Sequence, residues 1–178
     1  MFRTRALSAV AALLAGAAGA AAGWFLYPRP DAESHREEIE AAAREFDLDP
    51  ALVRAVVLAE SGGKADARSS RGAIGLMQLV PDTARERAKE LGLSDYDLLD
   101  PAVNARLGSC HLAKLLALFD GNIALAVAAY NAGEKPVREW AERAPHLSGE
   151  EIVDAYAYDE TRAYVRRVLE YRDRLKAR

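Results

Sequence analysis

The sequence predicts a mainly α-helical protein, with one helical domain preceded by a single N-terminal transmembrane or signal helix. Three observations carry this. Apolar residues recur at helical spacing through most of the chain. Asp49-Pro50 and Asp100-Pro101 each set a capping carboxylate ahead of a proline that suits the first helical position. And no charge interrupts the 22 residues from Ala6 to Tyr27.

At about 1.5 Å per residue that run spans roughly 30 Å of hydrocarbon. Arg3 and Arg5 before it would stay cytoplasmic, so the rest of the chain faces outward. A cleaved signal peptide competes, because Ala18-Gly19-Ala20 and Ala20-Ala21-Ala22 suit a peptidase; cleavage would make the protein secreted. Trp24-Phe25-Leu26-Tyr27 prolongs the run with aromatics that favour an interface, which points to an uncleaved anchor. The division is therefore an anchor or signal segment at 1–27 and a domain at 28–178.

The 178 residues are 51% apolar and 29% charged, as in a globular protein. The net charge is −3, and setting aside Arg3 and Arg5 makes residues 28–178 −5, which argues against a nucleic-acid partner. His35, His111 and His146 are scattered without ligand spacing, so no metal site is expected. Cys110, the one cysteine, can form no internal disulfide and reads as a small buried residue.

In the domain, Pro28-Arg29-Pro30 reads as a stiff exit from the anchor. Ser34 and Glu37 fit a capping box for a helix to about Phe46, with Ile39, Ala42, Ala43 and Phe46 on its buried face. Asp49-Pro50 starts a second helix that is apolar except for Arg54 and stops at Glu60-Ser61-Gly62-Gly63. Gly62 to Ile74 reads as a loop with a short β-hairpin. Pro81 opens a helix ended by Gly92. The helix from Pro101 to about Phe119 reads as the central buried one. Asn122 caps Ile123 to Tyr130, apolar all round and so buried. Pro136 starts a short helix containing Trp140, Pro145 breaks it, Ser148 and Glu151 form a capping box, and Asp159 caps the last helix to about Lys176.

Glu60 is the candidate for chemistry. The negative end of its helix and the nearby Val56 and Val57 both disfavour ionisation and push its pKa upward. A carboxylic acid still protonated near neutral pH can protonate a leaving oxygen. On position alone, a Glu turned into water is the simpler reading. Hydrolytic glycosidases usually pair two carboxylates, and near Glu60 in sequence the sole second candidate is Asp66.

Three motifs change that reading. Glu60-Ser61 with Ser69, Gly75-Leu76-Met77-Gln78-Leu79 and Pro81 resembles the first motif of the soluble-lytic-transglycosylase (SLT) domain, which has a goose-lysozyme-like fold. Ala129-Tyr130-Asn131-Ala132-Gly133 resembles its second, and Glu160-Thr161-Arg162 with Tyr164-Val165 its third. The match covers roughly residues 35 to 175. One departure is Gly62-Gly63-Lys64-Ala65, where family members often carry an aromatic residue, Asn and Pro.

The resemblance implies a bacterial cell-wall lyase acting on peptidoglycan glycan strands, as a monomeric catalytic domain without metal or cofactor. Glu60 would be the single acid and then base, breaking the bond between N-acetylmuramic acid and N-acetylglucosamine to leave 1,6-anhydromuramyl ends. Ser69 would orient the acid or a substrate acetamido group. Met77, Gln78, Tyr130 and Glu160 would line saccharide subsites, with Tyr130 beside the acid and able to hydrogen-bond it. Asn131 would shape the backbone or contact sugar. The rivals are a hydrolytic muramidase on the same fold, a non-catalytic wall-binding module, and an enzyme of identical chemistry serving a secretion machine.

Overall fold

Proline occupies the first turn of three successive helices, because its fixed φ suits that position and the N–H it lacks would be unbonded there anyway. The computed structural model describes Asp31 and residues 33–177. Among these are α1 (Arg36–Glu45), α2 (Pro50–Glu60), α3 (Pro81–Glu90), α4 (Pro101–Leu118), α5 (Ile123–Ala132), α6 (Glu134–Arg143), α7 (Gly149–Tyr156) and α8 (Asp159–Lys176). The mainly helical class holds. The expected hairpin reduces to two isolated antiparallel bridges, Arg68 with Ile74 and Ile74 with Leu79, and no strand forms among the described residues. No helix among them is long and apolar enough to cross a membrane. The expected anchor at 6–27 lies outside the described residues.

The local cap chemistry explains most helix starts. Asp49 accepts from the Ala51 N–H, Asp100 from those of Ala102 and Val103, and Asn122 from that of Leu125. Ser148 and Glu151 form the full capping box. The box expected at Ser34 and Glu37 does not form. Ser34 instead donates its hydroxyl to the Asp31 carboxylate at 2.8 Å, and α1 starts after His35 in the left-handed region, φ 57°. At α8 the N-cap is Tyr158, and Asp159 is the first helical residue, pairing with Arg162. Helix α6 begins at Glu134, two residues before Pro136, a first-turn position where proline is still tolerated.

The central helix is α5 rather than α4. Residues Ala124 to Ala129 are all buried, and α5 packs against α4, α6, α7 and α8. Its alanines let the neighbouring helices approach closely. Helices α2 and α8 run antiparallel: Lys176, at the end of α8, pairs with Asp49 at the start of α2 at 2.9 Å, while the first turns of α8 meet the C-terminal end of α2. The main core takes Leu52, Val53, Val56, Leu112, Val127 and Val165, among others. A smaller cluster of Leu79, Ala84, Ala88 and Leu107 fastens α3 to α4. Leu76 and Met77 belong to the first cluster and Leu79 to the second, so the segment 76–79 bridges the two. Cys110 is buried on α4 and unpaired.

Candidate active site

Helix α2 ends on Glu60. Ser61 caps it, and Gly62 and Gly63, with φ of 66° and 88°, turn the chain away in a conformation that costs residues with a Cβ. The Gly62 carbonyl accepts from the Asp31 N–H at 3.1 Å, so the start of the described chain lies against this turn. Glu33 reaches Arg54 on α2 at 2.7 Å and strengthens the attachment.

The Glu60 carboxyl lies partly buried between α8 and α5. Burial pushes its pKa up to about 7, against the hydrogen bond from Tyr164 and the charge of Arg167, which both favour the carboxylate. The Tyr164 hydroxyl donates to Oε1 at 2.6 Å. That is the length of a charge-assisted O–H···O bond. Burial and the Glu60 carboxylate keep the Tyr164 phenol well above its ordinary pKa, so it remains a donor.

Tyr130 is also beside the acid, since burial and then the charge of Glu60 raise its pKa. Its hydroxyl, however, donates to the Met77 carbonyl at 2.9 Å and not to Glu60. The expected contact between the acid and a tyrosine is present, but Tyr164 makes it. The ring of His111 packs against Tyr130 at 5.2 Å between centroids, and burial drops the imidazole pKa to about 4, so it is neutral.

Met77 corrects the expectation of a cleft position for its side chain. It is 0% exposed and packs on Gly108 of α4, where a Cβ would strike it. What Met77 offers the site is its carbonyl. Gln78 adopts φ 46°, and its Nε2 donates to the carbonyls of Gly75 and Ala67 at 3.0 and 3.2 Å, bracing the loop. Ser69 is exposed and closes a turn with Ala73, exchanging bonds of 3.0 Å through its backbone N–H and its hydroxyl. Asn131 accepts from the Thr161 hydroxyl at 2.8 Å, tying the end of α5 to the start of α8. Glu160 is exposed on α8 and faces Arg71 of the loop at 3.7 Å.

The three sequence motifs thus converge pairwise. Glu60 of the first meets Tyr164 of the third, Met77 of the first meets Tyr130 of the second, and Asn131 of the second meets Thr161 of the third. A transglycosylase SLT domain family model matches residues 37–153, about two thirds of the chain. The chain belongs to the SLT transglycosylase family. Over 142 residues this SLT domain is 36% identical to a putative soluble lytic murein transglycosylase of Haemophilus influenzae, covering 78% of this chain and 24% of that protein. It superposes on the lytic transglycosylase Slt of Pseudomonas aeruginosa, in an inactive mutant form, with TM-score 0.75 and 38% identity over 81% of this chain and 25% of that one. The 70 kDa soluble lytic transglycosylase of Escherichia coli gives TM-score 0.71 and 29% identity over 78% and 23% of the two chains. The SLT domain chain therefore spans about a quarter of the length of these relatives.

Two residues of this SLT domain site have roles that the sequence reading did not assign. Tyr164 carried a signal: it stands three residues after Thr161 on the inward face of α8, and a buried phenol needs a partner. Asn104 is a buried polar residue of α4. It is 0% exposed, accepts from the Met77 N–H at 2.8 Å and donates to the Ile74 and Leu98 carbonyls, both at 2.9 Å. It therefore fixes the loop that carries the Met77 carbonyl. Among the described residues no three His, Cys, Asp or Glu side chains converge to hold a metal. Two concavities, of about 370 and 500 Å³, flank Gly121 and Ile123 at the opposite end of α5 from Tyr130. The acid sits in neither.

Proposed function

We propose that this protein is a peptidoglycan lytic transglycosylase in which Glu60 acts first as acid and then as base. The observation that carries this is a carboxyl held partly buried against Tyr164 with its pKa raised to about 7. Such a group gives and retakes a proton near neutral pH.

Protonated Glu60 gives its proton to the oxygen joining muramic C1 to the next sugar. The C1–O bond breaks, and its electron pair stays on that oxygen. The acetamido carbonyl of the same muramic residue supports the cationic C1. Glu60, now a carboxylate, takes the proton of the C6 hydroxyl as O6 bonds to C1. The proton is back on Glu60, no water is consumed, and the product is a 1,6-anhydromuramyl end. No second carboxylate is required, in keeping with the lack of a motif around Asp66.

Ser69 and Gln78 belong to the loop after α2, Tyr130 and Asn131 to the end of α5, and Glu160 to the start of α8. We assign all five to saccharide binding or to shaping the subsites. Met77 contributes through its carbonyl, which receives the Tyr130 hydroxyl. The uncharged run at 6–27 supports an envelope location with the domain at 28–178 facing outward on a membrane tether. A tether raises the local concentration of enzyme at nearby wall.

The test is mass spectrometry of muropeptides released from purified peptidoglycan by the full-length protein and by Glu60→Gln. Anhydromuramyl ends from wild type and none from Glu60→Gln support the reading. Reducing ends would make the protein a hydrolase on the same scaffold. No release by wild type would leave only wall binding.

A further inference from the structure

Helix α8 presents Glu160, Tyr164 and Arg167 along one stripe, spaced four and three residues apart. Tyr164 occupies the middle and holds the acid. Glu160, at one end, is engaged by Arg71 of the facing loop. Arg167, about 10 Å further along the axis, lies with its guanidinium carbon 5.7 Å from the centroid of the Tyr164 ring. The same ring thus bonds the acid through its hydroxyl and carries a cation on its face.

Arg167 also differs from its neighbours. Helix α8 carries four other arginines, and each faces a carboxylate: Arg162 with Asp159, Arg166 with Asp154, Arg172 with Asp49 and Arg174 with Glu170. Arg167 is exposed and makes no ion pair among the described residues. The cation whose charge acts on the acid is thus the arginine of this helix that makes no ion pair among the described residues.

We propose that Arg167 binds a carboxylate of the peptide stem carried by the muramic residue, at the edge of the acid's site. This rests on the reading of Glu60 as the acid on a peptidoglycan strand. The stem is carried by the same muramic ring whose C1–O bond is broken and bears carboxylates, and a guanidinium fixed on an aromatic face is suited to receive one in a planar, two-point contact. The contact has a second effect. Tyr164 and Arg167 on α8 favour the carboxylate form of Glu60, and Tyr130 on α5 is the other titratable group facing it. An unmatched Arg167 works against the proton that Glu60 must donate. A bound stem carboxylate offsets that charge and returns the proton affinity when substrate is present.

The experiment compares unmodified strands with strands whose stem carboxylates have been converted to amides. Wild type is expected to cleave unmodified strands with a kcat/KM on the order of tenfold above the amidated ones, the loss of one charge-assisted contact. Arg167→Gln should show the lower value on both, through KM, and Arg167→Lys should keep part of the preference. The same strands are pelleted with Glu60→Gln and with Glu60→Gln carrying Arg167→Gln, which reads binding whether or not the protein cleaves. A preference for unmodified strands that disappears with Arg167 supports the proposal even if no cleavage is found. A preference that survives Arg167→Gln, or no preference in the binding of Glu60→Gln, overturns it while leaving the role of Glu60 intact.

Discussion

The phenol of Tyr164 donates a 2.6 Å hydrogen bond to Oε1 of Glu60, joining the C-terminal end of α2 to the first turns of α8 across 104 positions of sequence. This bond favours the carboxylate, while burial favours the acid and wins. The balance leaves a group that titrates near neutrality.

Removing that donor gives the first expectation. Activity that starts from protonated Glu60 declines as pH rises through about 7. In Tyr164→Phe the carboxylate loses a stabilising donor, so the pKa rises and the alkaline limb of kcat/KM moves up by about one pH unit. The measurement is the pH dependence of muropeptide release. A limb that stays in place, or moves down, would show that Tyr164 does not set the proton affinity.

Stability carries the same signature with its own sign. Glu60 has a folded pKa of about 7 against an ordinary 4.5. Below about pH 4 both folded and unfolded chains hold the proton and nothing is lost. Between pH 4.5 and 7 the unfolded chain releases it first, so the folded state loses stability, fully by pH 8. Glu60→Gln removes this penalty. It should be more stable than wild type at pH 8, by on the order of 2 kcal/mol, with the gain gone at pH 4. Urea unfolding at the two pH values measures it.

Asn104→Ala tests the floor of the site. It removes three hydrogen bonds of 2.8 to 2.9 Å from a residue that is 0% exposed, leaving the Met77 N–H and two carbonyls without their partner. A loss of about 3 kcal/mol in denaturant unfolding is expected. Activity should fall further than stability explains, because the Met77 carbonyl that receives Tyr130 is then free to move.

Two glycines separate backbone strain from collision. Gly72 and Gly75 have nearly equal φ, 82° and 81°, but a Cβ on Gly72 meets nothing within 4 Å, whereas one on Gly75 runs into the Asn104 amide and the Leu98 carbonyl. Gly72→Ala should cost about 1 kcal/mol, the strain alone, and Gly75→Ala about 3 kcal/mol, with overpacking added. Equal losses would mean that the Asn104 contact yields freely.

Where a feature depended on neighbours in the chain, the sequence revealed it. Asp49-Pro50, Asp100-Pro101 and Ser148 with Glu151 start helices through side chains bonding N–H groups two or three residues on, and all three sites form as read. Ser34 failed because α1 starts one residue later, after His35, and Asp31 accepts from the Ser34 N–H that Glu37 would have taken. The motifs pointed to Glu60 and to Tyr130 as its hydrogen-bond partner, whereas Tyr164 makes that bond and Tyr130 bonds the Met77 carbonyl. Both Tyr130 and Tyr164 end near it, and only the crossing of α8 over α2 decides which hydroxyl arrives. Met77 and Gln78 are adjacent, yet the left-handed turn at Gln78 sends one side chain into the core and leaves the other bracing the loop. Periodicity carries no mark of such a turn.

The two ends of α2 mark the two ends of the described chain. Asp31 rests on Gly62, just beyond Glu60, whereas Lys176 rests on Asp49, eleven residues of helix and about 16 Å away. A carrier, label or solid support joined after the last helix sits remote from Glu60 and leaves the approach to it clear. The same attachment made just ahead of Asp31 lies at the Glu60 end of α2, so an attachment after the last helix leaves that end the freer.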